Sequence, residues 1–172
     1  TETVTALLAA PGLDVNAATG GGDTALMLAV DRRRTETVTA LLAAPGLDVN
    51  AARGNGAPAL LWAAGRGHAE TVTALLAAPG LDVNAATGGG DTALMLAAGR
   101  GYTATVTALL AVPGIDVHAA DGDGDTALMV AAGGGHTATV TALLAMPGID
   151  VNATDGQAST ALIRACLLYT SD

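Results

Sequence analysis

The chain of 172 residues contains no phenylalanine and no lysine, one tryptophan, two tyrosines and one cysteine. Without large aromatic side chains a single thick core is hard to fill, so the composition favours thin layers built from alanine, leucine and valine. Cys166 has no partner for an internal disulfide, so the fold does not depend on oxidation. We therefore expect an intracellular, cytoplasmic location.

A long apolar run and a surplus of basic residues are also missing. The longest apolar stretch, around Ala57 to Ala64, is far shorter than the ~20 residues that cross a bilayer, so we expect no membrane contact. The formal net charge is −9, and all seven basic residues are arginines. Such a chain repels phosphate backbones, so we expect no nucleic-acid binding. A basic protein partner is the better electrostatic match.

The dominant feature that is present is an internal repeat with a step of 34 residues. The segment that begins at Thr1 begins again at Thr35, and close variants begin at Ala69, Thr103 and Thr137. A second landmark, Thr-Ala-Leu-Met and its variants, keeps the same step along the chain. A fixed period of this length is typical of a solenoid, whose units bury their apolar faces only by stacking on their neighbours.

Each full unit begins with a short predicted helix. Thr24 is placed to act as its N-cap, with the hydroxyl accepting a hydrogen bond from an otherwise unpaired backbone amide. Leu26, Ala29 and Val30 follow at helical spacing and form one apolar face. In later units a glycine, such as Gly67, ends this first helix.

A second predicted helix follows, with Val38, Leu41 and Leu42 on its inner side and Thr37 and Thr39 outside. A Pro-Gly step ends it, and Gly46 is the predicted left-handed C-cap. The turn-rich connector that comes next predicts a short β-hairpin. Tetratricopeptide arrays have longer helices and almost no connector, so we reject that alternative.

Three motifs, complete or in part, follow one another along the chain: Asp-Val-Asn-Ala, then Gly-x-Thr-x-Leu-x-x-Ala-Ala, then Gly-His-x-Glu-x-Val-x-x-Leu-Leu. The segment from Gly56 to Leu76 carries most of the second and third motifs. On these residues the chain resembles the ankyrin repeat family from Thr1 to about Ala165. The resemblance implies an all-α helix-turn-helix solenoid with short β-hairpin connectors. It also implies that partners bind a concave face made of hairpin tips and first helices.

The repeat predicts the organisation of the chain. We expect an ankyrin repeat array over residues 1–165, made of a half unit, four full units and a half unit, followed by a non-repeat tail over residues 166–172. Half units would leave apolar residues such as Val4 and Leu7 exposed. We interpret the chain as a fragment of a longer array, and a dimer that covers the ends is the alternative.

No group of residues predicts a catalytic, cofactor or metal site. The acidic run from Asp121 to Asp125 is not followed by the glycine and glutamate of a calcium loop, so we interpret it as a hairpin tip. The three histidines and Cys166 have no metal-ligand spacing. The resemblance implies that His68 and His136 hold turns. Nucleophile motifs and phosphate loops are absent. We therefore expect a chain that is not an enzyme and needs no cofactor.

The resemblance implies that partner-binding residues lie at the hairpin tips and at the ends of the first helices. On this chain the candidates are Asp23, Asn55, Asp91, Asp123, Asp125, Arg32, Arg66 and Arg100. The planar guanidinium groups of the arginines are suited to directed hydrogen bonds with a partner. An alternative of equal weight is that these arginines are ordinary solvated charges on the surface and bind no partner.

Trp62 is the one large aromatic residue of the array. Its counterparts Leu28, Leu96 and Val130 favour a role in core packing, and a partner-facing anchor is the alternative. Because nearly identical units present nearly identical contacts, an extended partner fits the array. Our first hypothesis is a protein-interaction module. The second is a targeting or regulatory arm of a larger enzyme or channel whose active domain lies outside this sequence.

Overall fold

The computed structural model describes residues 1–54 and 56–167, and these ranges contain ten helices joined by turns. The first helices of the units are α2 (Ala25–Asp31), α4 (Ala59–Gly65), α6 (Ala93–Ala98), α8 (Ala127–Gly133) and α10 (Ala161–Leu167). The second helices are α1 (Glu2–Leu8), α3 (Thr35–Leu42), α5 (Ala69–Leu76), α7 (Thr103–Leu110) and α9 (Thr137–Leu144). The predicted all-α helix-turn-helix solenoid is confirmed.

The units stack in two layers. Each first helix packs against the first helix of the next unit, and each second helix packs in the same way against the next second helix. Between the layers lies a continuous core that includes Leu60, Val72, Leu94 and Val106. Because this core is only two helices thick, small and medium apolar side chains fill it, as the composition predicts.

The first helices begin as the sequence predicts. The Thr24 hydroxyl accepts a hydrogen bond from the Met27 amide at 3.4 Å, and Thr92 and Thr126 cap their helices in the same way. The predicted N-cap is therefore confirmed. Each hairpin is reduced to one isolated antiparallel bridge, such as the bridge between Ala18 and Thr24. The connectors are tight turns, and no extended strand forms in the described ranges.

One expectation about the second helices is wrong. Thr37 is buried, as are its counterparts in α5, α7 and α9, whereas Thr39 is exposed as predicted. The reason is that the second helices stack side by side, so this flank of each helix faces a neighbouring second helix. The hydroxyl groups of Thr35 and Thr71 lie 3.2 Å apart and share a hydrogen bond across this contact.

The end of the second helix also differs from the prediction. α3 ends at Leu42, and its C-cap is Ala43, which keeps right-handed helical backbone angles. Gly46 does have a positive φ of 77°, but it lies in the turn that follows the helix. The Pro-Gly step therefore shapes the connector, where a residue without a side chain adopts this conformation without strain.

Asparagine side chains tie each connector to the next unit. Asn50 Nδ2 donates to the Gly80 carbonyl oxygen at 2.7 Å, and Asn50 Oδ1 accepts from the Asp82 amide at 2.9 Å. Asn16 and Asn84 make the same pair of bonds one unit earlier and one unit later. We call this set of bonds the asparagine ladder.

The asparagine ladder stops at His118, whose side chain makes no hydrogen bond within the described ranges. We expect His118→Asn to raise the free energy of unfolding by about 1 kcal/mol. The new amide would reach the Gly148 carbonyl and the Asp150 amide, and each hydrogen bond contributes ~0.5–1.5 kcal/mol before the cost of ordering the side chain. Urea denaturation measures the change. Asn84→His is the matched reverse variant and should lower the free energy of unfolding. Equal free energies of unfolding for the two variants would contradict a stabilising role for the asparagine ladder.

Candidate functional site

Trp62 lies on α4, partly buried, and is surrounded by charged groups. The guanidinium carbon of Arg53 lies 4.6 Å from the centroid of the indole ring, and that of Arg66 lies 4.8 Å from it. Both distances are within the ~6 Å range of a cation–π interaction. The indole Nε1 is buried and has no hydrogen-bond partner among the described residues. We call Trp62, Arg53 and Arg66 the Trp62 cluster.

Two carboxylates hold the arginines of the Trp62 cluster. Arg53 Nε lies 2.9 Å from Asp23 Oδ1, and Arg53 Nη2 donates to Asp23 Oδ2 at 3.2 Å. Arg66 Nη1 lies 2.6 Å from Asp31 Oδ1. Both pairs are partly exposed, so they contribute little to the free energy of folding. They do restrict the two guanidinium groups, which reduces the entropy lost when a partner binds.

Trp62 lines two clefts. The smaller cleft, of about 140 Å³, is lined by Asp23, Asp31, Arg53 and Trp62 and contains the ion pair between Asp23 and Arg53. The larger one, of about 250 Å³, we call the Arg100 cleft, and its walls include Ala57, Leu61, Trp62, Gly65, Leu96 and Arg100. Arg100 Nη1 donates to the Gly65 carbonyl oxygen at 2.5 Å. Within the described ranges no carboxylate lies at ion-pair distance from Arg100.

The other candidates from the sequence are spread along the stack. Arg32 is the exposed C-cap of α2, and Asp123 is exposed at a hairpin tip. Asp91 Oδ2 accepts a hydrogen bond from the Thr87 hydroxyl at 3.0 Å. Asn55 lies outside the described residues. Arg53 contacts both Asp23 and Trp62, and Arg66 contacts the other candidates through the Trp62 ring. Arg100 lies in the adjoining cleft, and the remaining candidates lie apart.

Asp125 belongs to a separate ionic group near the last described helix. Arg164 Nη2 lies 2.5 Å from Asp125 Oδ1 and 2.6 Å from Asp155 Oδ2. Burial raises the pKa of Asp125, although Arg164 beside it acts in the opposite direction. The hydrogen bond from Arg164 holds the pKa of Asp155 below its ordinary value, and backbone amides add to this effect. Asp125 is thus paired with a residue of its own chain.

The helix pairs, the projecting turns and the stacking of equivalent helices agree with a comparison against known families. A model of ankyrin repeats in three copies matches residues 1–87 and 94–169. The chain belongs to the ankyrin repeat family. No curated protein matches the chain.

Membership of the ankyrin repeat family bears on function in general terms. Ankyrin repeats are generally protein–protein interaction modules, and proteins built from them are typically not enzymes. Within the described part of this ankyrin array, no helix is both long enough and apolar enough to cross a membrane.

Sequence reasoning missed Arg53 and Asp31. Arg53 stands in a connector position that carries Thr19, Thr87 or Asp121 in other units, so it resembled an ordinary turn residue. The sequence alone carries no signal for the contact between Asp23 and Arg53, because the contact depends on how neighbouring units stack. The pair of Asp23 and Arg53 is separated by 30 residues, and the same separation joins the asparagine side chains of the ladder to the glycine carbonyls of the next unit.

Proposed function

We propose that this ankyrin array binds a protein partner on the concave face formed by its hairpin tips and first helices, with the Trp62 cluster at the centre of the contact. Binding energy at protein interfaces concentrates in tryptophan, tyrosine and arginine side chains. The Trp62 cluster supplies one such tryptophan with two arginines already held against it. This preformed group is the observation that carries the proposal.

The partner we propose is extended and carries basic residues along part of its length. The units repeat along one direction, so a partner that follows the stack meets equivalent positions at successive hairpins. Asp123 presents an exposed carboxylate at one of these tips, and the net charge of −9 favours approach of a basic segment. Arg32 and Asp91 lie at the equivalent first-helix and hairpin positions of other units.

The test is a selection of binding peptides from a random display library with the intact chain, followed by affinity measurements on variants. We expect Trp62→Leu to weaken the selected binders at least 10-fold, because truncating an interface anchor costs ~2 kcal/mol or more. Leucine is the natural residue at this repeat position in Leu28 and Leu96, so the variant suits the fold.

The matched control is Thr73→Ala in α5. Thr73 is exposed on the second helix of the same unit, and its hydroxyl donates only to the Ala69 carbonyl of its own helix. We expect its affinities to stay within about twofold of the unchanged chain. A library that yields no binder, or binders that Thr73→Ala weakens as much as Trp62→Leu, would contradict the proposed face.

A further inference from the structure

Arg100 differs from Arg66, its counterpart one repeat earlier, in the carboxylates that lie beside it. Arg66 also lines the Arg100 cleft, and it pairs with Asp31 at 2.6 Å. One repeat later Arg100 occupies the position of Arg66, but Gly65 occupies the position of Asp31. The hairpin carboxylate is also replaced, because Ala57 stands where the earlier unit has Asp23. The array therefore keeps the arginine and lacks both carboxylates.

The geometry shows where the missing carboxylate would lie. A side chain built on Gly65 would begin 2.8 Å from Arg100 Nη1 and 3.7 Å from Leu96 Cβ. Arg100 therefore reaches over the position from which Asp31 extends in the preceding unit, and it bonds there to the Gly65 carbonyl. A guanidinium group has five donors, so one bond to a carbonyl leaves donors for a carboxylate.

The walls of the Arg100 cleft suit one acidic residue of a polypeptide. Leu96 and the ring of Trp62 offer apolar surface, and the Thr87 side chain adds a hydroxyl. Pockets for small ligands usually run from ~300 to ~1,000 Å³. The volume of about 250 Å³ is suited to one or two side chains.

The distribution of charge along the chain makes this position distinctive. Six of the seven arginines lie between residues 32 and 100, namely Arg32, Arg33, Arg34, Arg53, Arg66 and Arg100. Further along the same face, the exposed carboxylate of Asp123 would repel an acidic group, whereas Asp125 is paired with Arg164. A carboxylate on the partner would thus find its attractive position in the middle of the array, while basic residues of the partner would face the later hairpins.

We propose that the Arg100 cleft binds the side-chain carboxylate of an aspartate or glutamate in the partner, flanked by an aliphatic residue that packs on Trp62 and Leu96. This inference rests on the proposed binding face and specifies its chemistry. The carboxylate pairs with the Arg100 guanidinium, and the aliphatic neighbour covers the apolar wall. One acidic residue thereby sets the register of an extended partner along the stack.

The probes are three short peptides with blocked amino termini. The first is Leu-Leu-Glu-Leu with an amidated end, the second replaces Glu with Gln, and the third carries Gln and a free terminal carboxylate. Trp62 is the only tryptophan, so the single indole N–H signal in a nitrogen–proton correlation spectrum reports on the cleft during each titration. We expect a saturable shift with the Glu peptide and at least 10-fold weaker binding of the Gln peptide.

The deciding variant is Gly65→Asp, which gives Arg100 a carboxylate of its own, as Asp31 does for Arg66. We expect it to weaken binding of the Glu peptide at least 10-fold. Gly99→Asp is the matched control, because it adds the same charge one repeat later, where Gly134 replaces Arg100 and a new Cβ meets its neighbours only at 3.4 Å or more. Urea denaturation of both variants verifies that they fold.

Three results would overturn the inference: equal affinity for the Glu and Gln peptides, equal effects of Gly65→Asp and Gly99→Asp, or tighter binding of the peptide with the free terminus. The outcome is separable from the broader proposal. If library-selected binders depend on Trp62 but tolerate Gly65→Asp, the binding face stands and the carboxylate site fails.

Discussion

Truncation of Leu94 to alanine is expected to lower the free energy of unfolding by about 3 kcal/mol. Leu94 lies on α6 and is 1% exposed, because α4 and α8 pack on the two sides of α6. Removing a buried leucine side chain loses its burial and leaves a cavity, and such changes cost ~2–5 kcal/mol. Urea denaturation followed by circular dichroism gives both the free energy and its dependence on denaturant.

The matched control is Leu162→Ala, which changes the same repeat position two units later. Leu162 lies on α10 and is 73% exposed. Its truncation removes little buried surface, so we expect a change below ~0.5 kcal/mol. In a one-dimensional stack the neighbouring unit determines whether a residue is buried. Equal losses from Leu94→Ala and Leu162→Ala would contradict that description of the array.

Leu94 and Leu162 also show how far sequence reasoning reaches. The 34-residue step and the threonine caps predict the helix pairs and their order, because these features depend on residues within one unit. The exposure of a given leucine depends on what is stacked against it. Leu94 and Leu162 follow the same Thr-Ala dipeptide, so their local sequence does not distinguish a 1% exposed side chain from a 73% exposed one.

Contacts between units account for the other differences from prediction. Thr37 looks like an outer residue of an isolated helix, but the side-by-side stacking of second helices buries it. The Trp62 cluster likewise depends on contacts between units. Trp62 was visible as an unusual residue in the repeat and Arg66 as one of a row of arginines, whereas the contribution of Arg53 depends on a contact that spans 30 residues. Contacts of this kind depend on how one unit packs on the next. The sequence pattern within a single unit does not contain that information.

Gly101→Ala is expected to lower the free energy of unfolding by about 2–3 kcal/mol. Gly101 has a φ of 68°, a conformation that costs an L-residue with a side chain ~1–2 kcal/mol. A Cβ at this position would also lie 2.6 Å from Nδ1 of the His136 imidazole. The ring could move away only by giving up the hydrogen bond that Nε2 donates to the Gly99 carbonyl at 3.1 Å, which contributes a further ~1 kcal/mol.

Two variants separate the backbone cost from the collision. Gly114 has a φ of 84°, but a Cβ there would meet no atom within 4 Å. Gly114→Ala should therefore show the backbone cost alone, about 1 kcal/mol. Combining Gly101→Ala with His136→Ala removes the collision. The double variant should therefore lose less free energy of unfolding than the sum of the losses of the two single variants. If Gly101→Ala and Gly114→Ala prove equally destabilising, the imidazole moves aside at no cost in free energy. Its packing on the preceding unit then contributes nothing to the stability of the contact between repeats.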